Sequence, residues 1–87
     1  MPYIDRTSRE KFEEQIKALW DLIGNEGELN YVMTMLAINF VSKQGGESYA
    51  NLCKALVAFE AAKLEFYRRK VAPYEQLKSL QNGDVYG

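Results

Sequence analysis

Two residues of opposite charge interrupt an apolar helical surface, and their types and spacing are the ones best suited to chemistry. Glu60 and Lys63 lie three residues apart, within the apolar arc of a predicted third helix. Residues three apart are neighbours on a helix surface, so the carboxylate and the ammonium can pair. Because burying either charge alone is costly, we expect pairing or hydrogen bonding at this position.

Two interpretations of this pair are open. In the first, Glu60, Lys63, Asn30 and Tyr67 form a buried polar clasp that fixes helix register or the geometry of an oligomer. In the second, Glu60 and Lys63 line a pocket and act on a small molecule, as a perturbed carboxylate in an enzyme does. Lys63 can also extend its ammonium to the rim of the apolar surface.

Arg68, Arg69 and Lys70 form the concentrated basic patch of the sequence, and Tyr67 and Tyr74 flank it. Cations interleaved with aromatic rings bind single-stranded nucleic acid through phosphate contacts and base stacking. Cations near the C-terminus of a helix are also favoured by the helix dipole. The patch therefore indicates either a module that binds nucleic acid or an acidic partner, or only a favourable helix end.

Metal and cofactor chemistry finds little support in the composition. The chain has no histidine, which removes the commonest general base and the commonest metal ligand. Its single cysteine, Cys53, cannot form an internal disulfide or a thiolate zinc site. Glu10, Glu13 and Glu14 are the densest acidic set, but they lie on a solvated face without a second acidic pair. We expect no catalytic residue, no metal and no cofactor.

Length and charge narrow the class of protein further. The 87 residues predict one helical domain over residues 1–87. A net charge of −1 predicts no general attraction to nucleic acid or to an acidic membrane. The apolar run at residues 29–41 is shorter than the roughly 20 residues that span a bilayer. The cysteine content and the absence of an apolar leader in residues 1–10 favour a cytoplasmic location.

Helical periodicity runs through the chain and predicts an all-α fold. The predicted helices span residues 7–23, 26–43, 48–71 and 73–81. Because the connections between them are short, consecutive helices should lie antiparallel. The sequence therefore predicts a small antiparallel bundle of three main helices plus a short C-terminal helix.

Polar residues mark where these helices begin and end. Thr7 with Glu10, and Asn25 with Glu28, fit the pattern of a capping residue followed three positions later by an acid. A serine at position 48 can cap the third helix in the same way. Pro73 is expected to end that helix, because proline disfavours helical geometry at the residue before it.

Large apolar residues at helical spacing form the predicted core, and we expect them to be mostly buried. They are Phe12, Ile16, Leu19, Trp20, Leu29, Met33, Leu36, Phe40, Leu52, Leu56, Phe59 and Phe66.

The second predicted helix is apolar on nearly every side, since residues 29–41 read LNYVMTMLAINFV. One face belongs to the predicted core. The second face, nearly opposite, consists of Tyr31, Met35 and Ile38. A helix that is apolar all round must be covered all round. We expect a second copy of the chain to cover this face, most simply in a two-fold dimer. Alternatively, the third and fourth helices wrap both sides within one chain.

Three sequence blocks resemble a known family. They read GELNYVMT at residues 27–34, KLEFYRRKVAPYE at residues 63–75 and NGDVY at residues 82–86. Together they resemble a family of small uncharacterised proteins found in bacteria and their phages. Members of that family often read VVAPYEDKK where this chain reads KVAPYEQLK at residues 70–78, so the charge at positions 76 and 77 differs. The resemblance implies no activity and no catalytic residue.

The sequence thus favours a small helical interaction protein of unknown biochemical role that acts as a homo-oligomer, with a dimer preferred. The first alternative is a binding module for nucleic acid or an acidic partner, built on the basic and aromatic patch at residues 67–74. The weaker alternative is a small-molecule enzyme that uses Glu60 and Lys63. No membrane association is expected.

Overall fold

Good helix formers and few internal breakers make almost the whole chain helical. The computed structural model describes residues 3–87, and no residue in that range lies in a β-strand. The elements are α1 (Arg6–Glu10), α2 (Glu13–Leu22), α3 (Glu26–Lys43), α4 (Tyr49–Phe66), a π-helical segment (Tyr67–Val71) and α5 (Ala72–Asn82). The predicted all-α class is confirmed.

The predicted first helix consists of two helices in the structure. A turn at residues 11–12 separates α1 from α2. Asp5 rather than Thr7 caps α1, because the Asp5 carboxylate accepts a hydrogen bond of 2.8 Å from the backbone N–H of Ser8. A charged acceptor two residues earlier in the chain therefore starts the helix before the predicted cap. The same hydrogen bond lowers the pKa of Asp5.

Helix α3 has the bounds that the sequence predicts, and it begins at the predicted cap. The side-chain oxygen of Asn25 accepts a hydrogen bond of 2.8 Å from the backbone N–H of Glu28. The Glu28 carboxylate in turn accepts one of 2.8 Å from the N–H of Gly24. The Asn25 oxygen thus satisfies a backbone donor that a helix start leaves without a partner, and the Glu28 carboxylate holds the residue before the cap.

The loop between α3 and α4 is shaped by glycine and held by Asn51. Gly45 and Gly46 have φ values of +116° and +98°. Residues with a Cβ atom rarely adopt such positive φ angles, whereas glycine adopts them readily. The Asn51 amide donates to the carbonyls of Gln44 (3.3 Å) and Gly46 (3.0 Å). The Ser48 hydroxyl oxygen accepts from the Asn51 N–H at 3.1 Å, so Ser48 caps α4 as predicted.

The predicted break before Pro73 is wrong, because residues 67–82 remain helical. Ala72, directly before the proline, has helical angles of φ −60° and ψ −45°. The hydrogen-bond register changes instead, and the Ala72 N–H donates to the carbonyl of Tyr67, five residues back. This wider turn accommodates Pro73, which has no N–H to donate to the carbonyl four residues back. Helix α5 then ends at Gly83, whose φ is +88°.

The described chain divides into two units, residues 3–55 and 56–87. The first contains α1, α2, α3 and the beginning of α4. The second contains the rest of α4, the π-helical segment, α5 and the C-terminal residues. The single domain and the antiparallel bundle arrangement stay predictions.

The predicted core is largely exposed. Among residues 3–87, Val41 is the one buried apolar residue, with 6% of its surface accessible. Leu19 and Phe59 are half-buried, but the other ten predicted core residues are exposed, and Trp20 is 61% exposed. The prediction of burial is therefore wrong for the single chain. Periodicity shows which side chains share a helix face, but it does not show what covers that face.

Candidate functional site

The second face of α3 is an exposed apolar stripe. Tyr31 is 65% exposed, Ile38 is 57% exposed, and Met35 lies exposed between them. The Asn39 amide next to this stripe donates to the backbone carbonyl of Met35 at 2.7 Å. A polar side chain beside the stripe is thus satisfied within the helix itself, which leaves the apolar side chains as the groups this face presents.

The opposite face of α3, which the sequence predicts to lie in the core, is exposed as well. Leu36 is 61% exposed, about as much as the residues of the second face. The other exposed members of this face are Leu29, Met33 and Phe40. Helix α3 therefore has two apolar faces, and most of the large side chains on both are exposed.

An open hollow of about 410 Å³ lies where the end of α2 meets the beginning of α3. Leu19 and Leu22 of α2 line it together with Ile23, which follows α2, and Tyr31 and Val32 line it from α3. Sequence analysis missed the hollow, because its walls come from two helices whose approach depends on the short turn between them. The capping pattern at residues 25–28 was the signal for that turn. The hollow extends the apolar surface of α3 onto α2.

Glu60 and Lys63 form the predicted ion pair, but they do not form it in a buried place. The Lys63 Nζ lies 3.6 Å from the Glu60 Oε1, and the side chains are 72% and 59% exposed, respectively. Asn30, another proposed member of the clasp, accepts a hydrogen bond of 3.4 Å from the Thr34 hydroxyl on its own helix. Exposed pairs of this kind contribute little to stability, since water solvates both charges. The geometry of the single chain thus shows neither a buried clasp nor an enclosed carboxylate.

Tyr67, the fourth member proposed for the clasp, bonds to Glu75. Its hydroxyl donates to the Glu75 Oε1, and both side chains line an open hollow of about 400 Å³ beside α5. The hydrogen bond and the negative charge of Glu75 raise the pKa of Tyr67, because both favour the neutral phenol. Sequence analysis missed this bond. Pro73 was the residue that could have indicated it, because its missing N–H favours a wider helical turn between Tyr67 and Glu75.

The basic patch lies in the π-helical segment and is partly neutralised. The Arg68 Nη2 donates to both carboxylate oxygens of Glu65, at 2.9 and 2.8 Å. Residues 69–70 and Tyr74 are exposed, and the Lys78 ammonium lies 5.6 Å from the centre of the Tyr74 ring. One of the three patch cations therefore faces a carboxylate, which reduces the charge available to a phosphate backbone.

Other kinds of site are not found in residues 3–87. No group of three or more histidine, cysteine, aspartate or glutamate side chains in this range is arranged to hold a metal ion. Cys53 is a free, half-buried thiol on α4. None of the helices in the described range combines the length and the apolar character needed to cross a membrane.

The fold and this surface define a small all-α protein with an exposed apolar helix. The chain belongs to the family described as Domain of unknown function (DUF6899), whose family model matches residues 1–85. This agrees with the resemblance to an uncharacterised family. The chain matches no curated protein and no solved structure.

Proposed function

We propose that the protein is a small helical interaction protein that acts as a homo-oligomer, with its copies in contact through the second face of α3. The observation that supports this proposal is the exposure of Tyr31, Met35 and Ile38 in one stripe. Exposed apolar patches of this kind mark interaction sites. A two-fold dimer is preferred, because one self-complementary patch then serves both copies.

The energy available from this stripe is close to what association costs. Fully burying one large apolar side chain contributes about 1.5–3 kcal/mol, so six fully exposed side chains in a two-fold pair would contribute about 9–18 kcal/mol. Because the three side chains of each copy are already partly covered, the stripe contributes on the order of 9 kcal/mol or less. Association costs about 4–15 kcal/mol in lost freedom of motion. The stripe is therefore sufficient for a weak dimer, and further contacts would make the dimer stable.

The test is the mass of the protein in solution, measured by light scattering for wild type and for Met35→Glu. The wild-type protein is expected to run as an oligomer and the variant as a smaller species, because a carboxylate in the interface must lose its water. Ala18→Glu is the matched control, since it adds the same charge at an exposed position of α2, outside the second face of α3. A wild-type protein that stays monomeric at high concentration would contradict the proposal.

A further inference from the structure

The two apolar faces of α3 are exposed to nearly the same extent, so neither is set apart as the core of a single chain. Leu36 on one face is 61% exposed and Tyr31 on the other is 65% exposed. A monomer that folds first and docks later buries one face of its central helix in its own core and presents the other. Helix α3 presents both, so the interface and the hydrophobic core involve the same side chains.

The single chain also lacks the burial that would hold its helices in place. Val41 is the one buried apolar residue among residues 3–87, and ordering the backbone costs about 1–2 kcal/mol for every residue. Helix α2 has 10 residues, whereas isolated helices shorter than about 12–15 residues are marginal in water. The described contacts of one chain therefore do not offset the entropy lost on folding.

The exposed apolar area of α2 and α3 is comparable with the area that a stable interface buries on each partner. Ten large apolar side chains of these two helices are 38–77% exposed. At roughly 150–250 Å² for a fully exposed large side chain, they present on the order of 1,000 Å² per copy over both faces of α3. A standard stable interface buries about 800 Å² on each partner, and obligate homodimers bury more. Interfaces of the obligate class resemble a domain core cut in half.

The charges of α3 favour another copy of the same helix as the occupant. Its first turn is acidic, with Glu26 and Glu28, and its last turn carries Lys43. Two copies aligned antiparallel place each acidic turn near the basic turn of the other, and their helix dipoles also attract. With the two-fold axis near residues 34–35, Tyr31 of one copy lies opposite Ile38 of the other. This contact covers the second face of α3, and other segments of the two copies must then cover the face that includes Leu36.

We infer that a second copy, antiparallel along α3, completes the hydrophobic core, so that folding and association occur in a single step. This inference rests on the proposed self-association and goes further, because it makes the isolated chain unstable as a folded species. The melting temperature of such a protein rises with protein concentration, since mass action favours the folded oligomer.

The experiment is a thermal melt of the wild-type protein, followed by circular dichroism over about a hundredfold range of concentration. We expect the melting temperature to rise with concentration, and helix signal and oligomer mass to be lost together. An oligomer whose melting temperature does not change with concentration overturns the inference and leaves the proposed function intact. A folded protein that is monomeric throughout overturns both.

Variants on the two faces of α3 provide a second measurement. Met35→Glu on one face and Leu36→Glu on the other are both expected to lose helix signal and oligomer mass together. The Ala18→Glu control is expected to keep both. If Met35→Glu is a folded monomer, the second copy is a docking partner and not part of the core, and the inference is wrong.

The antiparallel alignment is tested by cross-linking in a Cys53→Ala background. In an oxidised equal mixture of Tyr31→Cys and Ile38→Cys chains, we expect the mixed covalent dimer to predominate. The proposed alignment places the two cysteines opposite each other, and a disulfide forms only where the Cα atoms come within roughly 4.4–6.8 Å. Predominance of the two self-linked dimers would indicate a parallel alignment and would overturn the proposed geometry.

Discussion

Tyr67 donates a hydrogen bond to Glu75 across the π-helical segment, from the first residue of that segment to the first turn of α5. The bond lies within the unit formed by residues 56–87. It joins the two sides of Pro73, the position at which a regular α-helical register lacks a donor. Its strength can be followed in solution through the pKa of the Tyr67 phenol.

Replacing Glu75 by Gln is expected to move the pKa of Tyr67 back towards its ordinary value. The hydrogen bond to Glu75 and its negative charge both raise the pKa of Tyr67 in the folded protein. Because this pKa is higher in the folded state than in the unfolded state, the associated stability is present below about pH 10 and is lost as the pH rises through the folded-state pKa. The measurement is an NMR titration of ring-labelled tyrosine, with Tyr67→Phe to assign the signal. An unchanged pKa in Glu75→Gln would contradict the hydrogen bond.

Removing the cap of α3 should destabilise the protein by about 1 kcal/mol. In Asn25→Ala, the backbone N–H of Glu28 loses the side-chain acceptor that lies 2.8 Å away. Urea denaturation at one fixed protein concentration measures the change, because association would otherwise shift the midpoint. Asn25→Asp is the matched control, since it keeps an acceptor at the same place. A loss as large in Asn25→Asp as in Asn25→Ala would show that the cap is not the cause.

The bounds of α3 could be predicted from the sequence because they depend on neighbouring residues. The Asn25 and Glu28 side chains bond to backbone groups of the same turn, and Gly45 and Gly46 supply the backbone angles at the other end. The grouping of Tyr31, Met35 and Ile38 on one face of α3 also followed from local spacing. These features require no knowledge of distant parts of the chain.

The burial of the core could not be predicted in the same way. Trp20 and Leu36 lie on apolar faces, as their spacing predicts, yet both are 61% exposed. Periodicity defines a face, whereas its cover depends on tertiary or quaternary contacts. The Tyr67–Glu75 bond was missed for a different reason, because it depends on a π-helical register that α-helical spacing does not describe.

Glu60→Ala is expected to change the free energy of unfolding by less than about 0.5 kcal/mol. Its ion pair with Lys63 is long, at 3.6 Å, and both side chains are mostly solvated. Urea denaturation of Glu60→Ala and Lys63→Ala at equal concentration provides the measurement. A loss of about 1–4 kcal/mol in either variant would instead support a clasp that becomes buried in the oligomer.

Binding to nucleic acid is expected to be absent or weak. Glu65 holds the Arg68 guanidinium through two hydrogen bonds, and the whole chain has a net charge of −1. Fluorescence anisotropy with labelled single-stranded DNA at low and high salt is the measurement, because phosphate contacts make affinity depend on salt. Salt-dependent binding that strengthens in Glu65→Gln and weakens in Tyr74→Ala would favour the alternative function.

Replacing Pro73 by Ala should convert the π-helical segment to an α-helical register. Alanine supplies the N–H that proline lacks and removes the ring that would contact the carbonyl four residues back. Since each residue turns an α-helix by about 100°, a shift of one residue in register rotates α5 relative to α4. Glu75 then turns away from Tyr67, and the pKa of Tyr67 should fall as it does in Glu75→Gln.

The same NMR titration of labelled tyrosine measures this change, and circular dichroism should show helix content that is unchanged or higher. Gln76→Ala is the matched control, because it alters an exposed residue of α5 and keeps the proline. If the pKa of Tyr67 is the same in Pro73→Ala as in wild type, the proline does not set the register. The hydrogen bond to Glu75 would then be the interaction that holds the wider turn in place.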